Sequence, residues 1–321
     1  MKLGVLTVPL SGLSLEETMK FLSEQGVQTL EIGCGGFPGD AHLKPAEVLN
    51  GDEKANEIKA LLKKYNLEIC AISAHSNPVH PNKEVAAKAV EDFQNSVLVA
   101  EKLGVDTVVT FSGCPGDCAD SKYPNWVTCP WPGDFQEILD WQWNQVLIPY
   151  WKGAAEFAKK HHVTKIALEM HPGFCVYNPE TLLKLRGAVG DIIGANFDPS
   201  HLFWQGMDPV QAIRELKGAI HHFHAKDTKI DSANTAANGV LDSKRFDQLE
   251  SRSWLFRTIG YGHDRAVWCD IISELRKTGY DGAVSIEHED ALMSPKEGLC
   301  KAIEFLKDVI IEESPAELWW A

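Results

Sequence analysis

Eight short apolar runs alternate with eight amphipathic stretches along this chain, and no other feature limits its fold as strongly. The runs at 3–8, 29–33, 68–75, 106–112, 165–171, 193–199, 219–225 and 282–288 read as strands. The stretches at 15–25, 53–65, 83–103, 134–161, 178–189, 208–217, 264–277 and 295–311 place apolar residues three and four positions apart, the helical period. Gly26 and Gly104 follow two of these stretches, Gly279 closes another, and Asn178 before Pro179 reads as a cap with proline in the first turn. Strands joined through helices pair in parallel and are covered on both faces, so eight such units favour a closed barrel over an open sheet. The expectation is an α/β chain folded as a single (β/α)8 TIM barrel across residues 1–321. Two excursions break the rhythm: 114–133, rich in Pro, Gly and Trp, after the fourth strand, and 228–258 after the seventh. Both leave from the C-terminal end of the barrel and are expected to fold over it as lids. Residues 312–321 form a tail.

Charge and cysteine usage narrow the function classes. Acids outnumber bases by 45 to 31, a formal charge of −14, which argues against a sequence-independent grip on nucleic acid. The chain begins with a strand pattern and not with the apolar core and cleavage site of a signal peptide. No apolar run approaches membrane-spanning length, so the chain reads as cytoplasmic, without a nucleic-acid or membrane partner. Eight scattered cysteines make no disulfide framework. Cys114 and Cys118 are the one close pair, at neither redox nor zinc-ribbon spacing, and Cys34, Cys70, Cys175, Cys269 and Cys300 read as small core residues. Trp126 and Trp131, in the first excursion, suit stacking on a sugar or contact within a homo-oligomer as well as plain packing.

Four ligand-type side chains follow four separate strand runs: Glu169 after Ile166–Leu168, Asp198 after Ala195–Phe197, His224 after Ile220–Phe223, and Glu287 after Val284–Ile286. A barrel gathers all its strand C-termini at one face, where active sites are built, so this placement implies a Glu/Asp/His/Glu metal site. Three carboxylates and one imidazole form a hard donor set for one divalent ion, manganese first, with magnesium, cobalt, iron(II) or zinc as alternatives. Glu169 and Glu287 can also remove and return a proton beside a metal-polarised carbonyl. His171, two residues along the strand from Glu169, faces the same mouth as a third proton-transfer group or as an orienter of a ligand. His75 is a further imidazole near the mouth, and Trp131 is expected to stack on bound sugar. Lys226, Lys229, Arg257 and the amides near Gly260 and Gly262 could cradle a phosphate, but they make no multi-base cluster, which favours a neutral sugar, polyol or keto-glycoside.

At these residues the chain resembles the xylose-isomerase-like sugar isomerase/epimerase superfamily over nearly its whole length. The carriers are Leu168-Glu169-Met170-His171-Pro172-Gly173, Asn196-Phe197-Asp198-Pro199-Ser200-His201, His222-Phe223-His224-Ala225-Lys226-Asp227, Gly260-Tyr261-Gly262 and Ser285-Ile286-Glu287-His288-Glu289-Asp290. The resemblance implies Glu169, Asp198, His224 and Glu287 as metal ligands, the two glutamates as acid and base, and His201 as a substrate contact. The tail through Trp319-Trp320-Ala321 is similar to that of sugar phosphate isomerase/epimerase proteins. Where ketose epimerases carry an arginine-bearing segment after the first glutamate, this chain has Met170-His171-Pro172-Gly173. That departure keeps open a metal-dependent lyase or dehydratase acting on a keto-sugar or 3-keto-glycoside beside the isomerase or epimerase. The same superfamily holds endonucleases with three zinc ions, but the fourth strand ends Val109-Thr110-Phe111-Ser112-Gly113 and no Asp-x-His pair follows Asp227, so one metal is expected. A sugar-binding barrel without catalysis is the remaining class, and the intact quartet weighs against it.

Overall fold

The computed structural model describes residues 1–314, 316–318 and 320 of the 321; Trp319 and Ala321 of the tail lie outside the described residues. Strands β1 (Lys2–Leu6), β2 (Thr29–Gly33), β3 (Glu68–Ser73), β4 (Thr107–Phe111), β5 (Lys165–Glu169), β6 (Ile193–Phe197) and β7 (Ile220–Ala225) follow in chain order. A hairpin, β8 (Asp227–Ile230) with β9 (Trp254–Arg257), precedes the last barrel strand, β10 (Ala283–Ile286). The closed order is β1-β10-β7-β6-β5-β4-β3-β2, and its neighbours pair in parallel. This is the single (β/α)8 TIM barrel expected from the alternation, with every expected strand present and most trimmed by a residue or two.

Period-two alternation sorts the strand residues between barrel interior and helix layer. Leu30, Ile32, Ile166, Leu168, Phe197, Phe223, Val284 and Ile286 join the apolar core outside the barrel with the inner faces of the helices. Ala71, Val109 and Ala167 form a small separate cluster. Glu31, Ser73, His222, His224 and Ser285 are buried, the last four each hydrogen-bonded to the Glu31 carboxylate, so one layer is polar where such barrels usually carry branched aliphatics.

Three elements depart from the expected pattern. The stretch expected as one helix over 134–161 is a helix at Asp134–Trp141, a π-helical turn at Gln142–Leu147 and a second helix at Ile148–Lys160. Pro149 lies in the first turn of that second helix and cannot donate to the preceding turn, which favours a break at this place. Short helices at Pro45–Leu49 and Pro199–Trp204 add to the loops after β2 and β6. The 228–258 excursion is not plain loop: β8 and β9 pair antiparallel, from Asp227 opposite Arg257 to Ile230 opposite Trp254, and a helix at Ser232–Asn238 lies between them. No helix among the described residues is long and apolar enough to cross a membrane.

Candidate metal centre and active site

Glu169 ends β5, Asp198 caps the helix that follows β6, His224 lies near the end of β7 and Glu287 follows β10. Each offers a donor atom within 4.8 Å of the other three. His224 Nδ1 lies 3.1 Å from Glu287 Oε2 and 3.3 Å from Glu169 Oε2. Asp198 Oδ2 is buried and accepts no hydrogen bond among the described residues, although Lys226 Nζ is 3.1 Å away and His201 Nε2 3.3 Å away. An orphaned carboxylate oxygen among two further carboxylates and an imidazole suits a divalent cation.

Three donors surround Glu169. His75 Nε2 lies 3.1 Å from Oε2, Asn196 Nδ2 donates to the same oxygen at 3.0 Å, and His201 Nε2 lies 3.0 Å from Oε1. Burial raises the pKa of Glu169, but the hydrogen bonds from His201, His224 and His75 outweigh it and hold the group well below the usual range. Glu287 is held down to about 2, since the Lys226 ammonium overcomes the cost of burial. Asp198 is shifted the other way: burial raises it by more than Lys226 and His201 restore. Lys226, itself buried, is held well above its usual pKa because Asp198, Glu287 and Glu289 outweigh its desolvation. Its Nζ sits 2.7 Å from Glu287 Oε2 and 3.0 Å from Glu289 Oε2. Burial lowers both His171 and His201, favouring neutral imidazoles. Their rings lie 4.1 Å apart, and His171 also packs edge-on against Phe111 at 4.9 Å.

Below the quartet, Glu31 of β2 has no exposure and accepts from His222 Nε2 at 2.8 Å, His224 Nε2 at 2.8 Å, Ser285 Oγ at 2.9 Å and Ser73 Oγ. Burial raises the Glu31 pKa, but the two histidines reverse that and hold it well below the ordinary carboxylate value. With Nε2–H committed to Glu31, His224 turns Nδ1 toward the quartet. Burial disfavours charging His224, yet Glu31 and Glu287 overcome this and raise it well above its usual value. Glu31 and Asn196 contact His224 and Glu169 of the quartet, and sequence reasoning did not single them out. A carboxylate in the middle of the buried run Thr29-Leu30-Glu31-Ile32-Gly33 was the available signal.

Two expected substrate contacts are placed elsewhere. Trp131 is 77% exposed, and the cavity at the barrel mouth takes Trp126 and Thr128 from the same segment instead. Its proline- and glycine-rich surroundings gave no face periodicity from which to choose between the tryptophans. Arg257 pairs with Asp290, Nε to Oδ2 at 3.0 Å, and is not in the cavity wall. The amides expected to cradle a phosphate are committed as well: Gly260, Gly262 and His263 donate to Asp227 Oδ2 at 3.1, 3.1 and 2.9 Å. The protein's own carboxylate thus fills that nest. His75, His201 and Lys226 do gather at the quartet. Cys114 and Cys118 are free thiols, as are the other six cysteines.

The chain matches the xylose isomerase-like TIM barrel family over residues 19–309 and belongs to that family. Uncharacterized protein YfiH of Bacillus subtilis (strain 168) is 41% identical over 313 residues, 97% of this chain and 99% of that one. Rhizopine catabolism protein MocC of Rhizobium meliloti is 32% identical over 124 residues, covering 39% of this chain and 36% of its own. Among solved structures, the probable 3-DHS dehydratase AsbF from Bacillus anthracis superposes with a TM-score of 0.66 at 20% identity, covering 96% of this chain and 99% of that one. IOLI protein with a binding zinc atom gives 0.66 at 17% identity over 97% of this chain and 98% of that one. At such identities the two structures share the fold.

Proposed function

We propose that this protein is a divalent-metal-dependent isomerase or epimerase of a keto-sugar or related polyol, moving a proton at the carbon beside a carbonyl. The observation that carries this reading is the convergence of Glu169 and Glu287 on one donor set with Asp198 and His224. β6 and β7 separate β5 from β10 in the barrel, so the two carboxylates approach from different directions and can address opposite faces of one planar carbon. Glu169, Asp198, His224 and Glu287 would hold the ion, manganese by preference, and a bound ion would polarise the carbonyl and acidify the neighbouring C–H.

The chain's own groups account for the rest. Glu169, kept ionised by His201, His224 and His75 and held also by the Asn196 amide, is a base fixed in one orientation. Glu287 is the partner that returns a proton to the other face. Three carboxylates and one divalent ion leave one negative charge, which Lys226 cancels at 2.7 Å from Glu287. His201 and His171, neutral through burial, are placed to hydrogen-bond sugar hydroxyls. The commitment of Arg257 to Asp290 and of the Gly260–His263 amides to Asp227 supports a neutral substrate over a phosphorylated one.

His171 supports a second reading, a lyase or dehydratase on the same carbon. It borders both His201 and the mouth cavity; with Nδ1–H on the Pro172 carbonyl, its Nε2 could accept the proton removed beside the carbonyl of the substrate and pass it to a leaving group. Turnover of ketoses, inososes and 3-keto-glycosides with Mn²⁺ in D₂O separates the cases. An isomerase or epimerase places solvent deuterium beside the carbonyl, whereas a lyase releases a leaving group and gives an unsaturated keto-sugar. Glu169→Gln and Glu287→Gln should each cost about 10²–10⁴-fold in turnover. Turnover without deuterium at that carbon, with both variants active, would overturn proton transfer.

A further inference from the structure

Beside the quartet lies a cavity of about 910 Å³, near the upper end of the roughly 300–1,000 Å³ typical of small-molecule sites. His171, His201 and Glu289 belong to its wall, and it borders the quartet through His201, whose Nε2 lies 3.0 Å from Glu169 Oε1, although none of the four residues themselves lines it. Away from those residues the wall carries five aromatic side chains among polar and aliphatic ones. Trp126 comes from the first excursion, Phe246, Trp254 and Phe256 from the second, and Trp204 from the helix after β6. Trp204 and Trp254 stack at 4.7 Å and 6°, forming a rigid floor against which Phe256 packs at 5.1 Å from Trp254. Phe246 is 56% exposed and Leu241 70% exposed, so apolar surface at this wall stays in water until something covers it.

The polar groups of the wall favour a neutral occupant. Lys244 pairs with Asp242 at 2.8 Å and Arg245 with Asp247 at 3.3 Å. Arg252 donates to the carbonyls of Trp254 and Lys244 and lies 4.4 Å over the Phe246 ring. Each cation is therefore engaged within the protein. The indole N–H groups of Trp126 and Trp204 are buried and carry no hydrogen bond among the described residues, so these two rings meet the cavity through carbon and not through a donor. Aromatic faces without a free cation beside them suit the apolar face of a neutral ring.

We infer that the substrate is a neutral glycoside, with one sugar ring at the quartet and a second ring, a further sugar or an aromatic aglycone, stacked in this cavity. The inference rests on the proposed sugar chemistry of the quartet and adds that the two excursions select a two-ring substrate. Calorimetric titration of the Mn²⁺-loaded full chain with D-glucose, cellobiose, phenyl β-D-glucopyranoside and D-fructose 6-phosphate tests it. At least one two-ring probe should bind about tenfold or more tighter than glucose. Cellobiose in front identifies a second sugar, and the phenyl glycoside in front identifies an aromatic aglycone. Trp254→Ala, and Phe246→Ala at the more exposed position, should each reduce that advantage to about threefold or less while Mn²⁺ stoichiometry stays as in wild type. Equal affinities, an advantage that survives both substitutions, or tightest binding of fructose 6-phosphate would overturn the inference. Metal stoichiometry read in the same samples keeps the outcomes apart: a flat panel on metal-loaded protein removes the second-ring site alone, whereas failure to load metal removes the quartet reading beneath it.

Discussion

Glu31 sits in the barrel interior with no exposure, and four donors converge on it. A carboxylate behind a ligating imidazole fixes its tautomer and raises its basicity, so Glu31→Gln should weaken divalent-metal affinity by about 10–100-fold. Equilibrium dialysis against Mn²⁺ measures this directly; wild-type affinity in the variant would free His224 from dependence on Glu31. The quartet was legible because strand-end placement needs only the strand boundaries. Glu31 and Asn196 were not singled out, because knowing which residues face inward requires the strand's register, and neither carries a spacing signal by itself. Lys226 was legible as a cation near the mouth but not as the counter-charge of Asp198, which follows β6, and of Glu287 and Glu289, which follow β10.

Among the elements, the loops after the strands hold the site residues in place through close backbone approaches. Gly36 has φ +62°, and a Cβ there would stand 2.2 Å from the carbonyl oxygen of His75. Gly36→Ala should destabilise the fold by at least about 1–3 kcal/mol from backbone strain, with the clash in addition. Denaturant unfolding gives the value, and wild-type stability would show that the loop can move aside. On β7, burial lowers the pKa of His221 to about 4, and its ring packs where Gly194 leaves room. The unfolded chain takes up that proton near 6.5 and the folded chain only near 4, so stability is full above 6.5 and declines as pH falls between those values. His221→Gln should therefore show a smaller drop in Tm than wild type from pH 6.5 to pH 4, and parallel profiles would contradict the assignment. Barrel strands and long helices were legible from period. The β8–β9 hairpin was not, because Asp227–Ile230 and Trp254–Arg257 are only four residues each and Lys229 and Arg257 interrupt their apolar pattern.

At the scale of the whole molecule, barrel closure sets β10 beside β7 and, through β6, near β5, which brings Glu287 to His224, 63 residues earlier, and to Glu169, more than a hundred residues earlier. The eightfold alternation made that closure legible, since each helix returns the chain to the same end of the next strand. The mouth above it was less legible: the walls are made by segments without periodicity, so Trp126 and Trp254 could not be separated from Trp131 before the chain was folded. The charge of −14 is partly collected at the site, where acids converge and Lys226 alone stands among them as a full ammonium. The measurement that bears most directly on the account is metal content after loading with Mn²⁺ and desalting, wild type against Asp198→Ala. One ion per chain in the wild type and almost none in a folded variant is the predicted result; the same stoichiometry in both would contradict it.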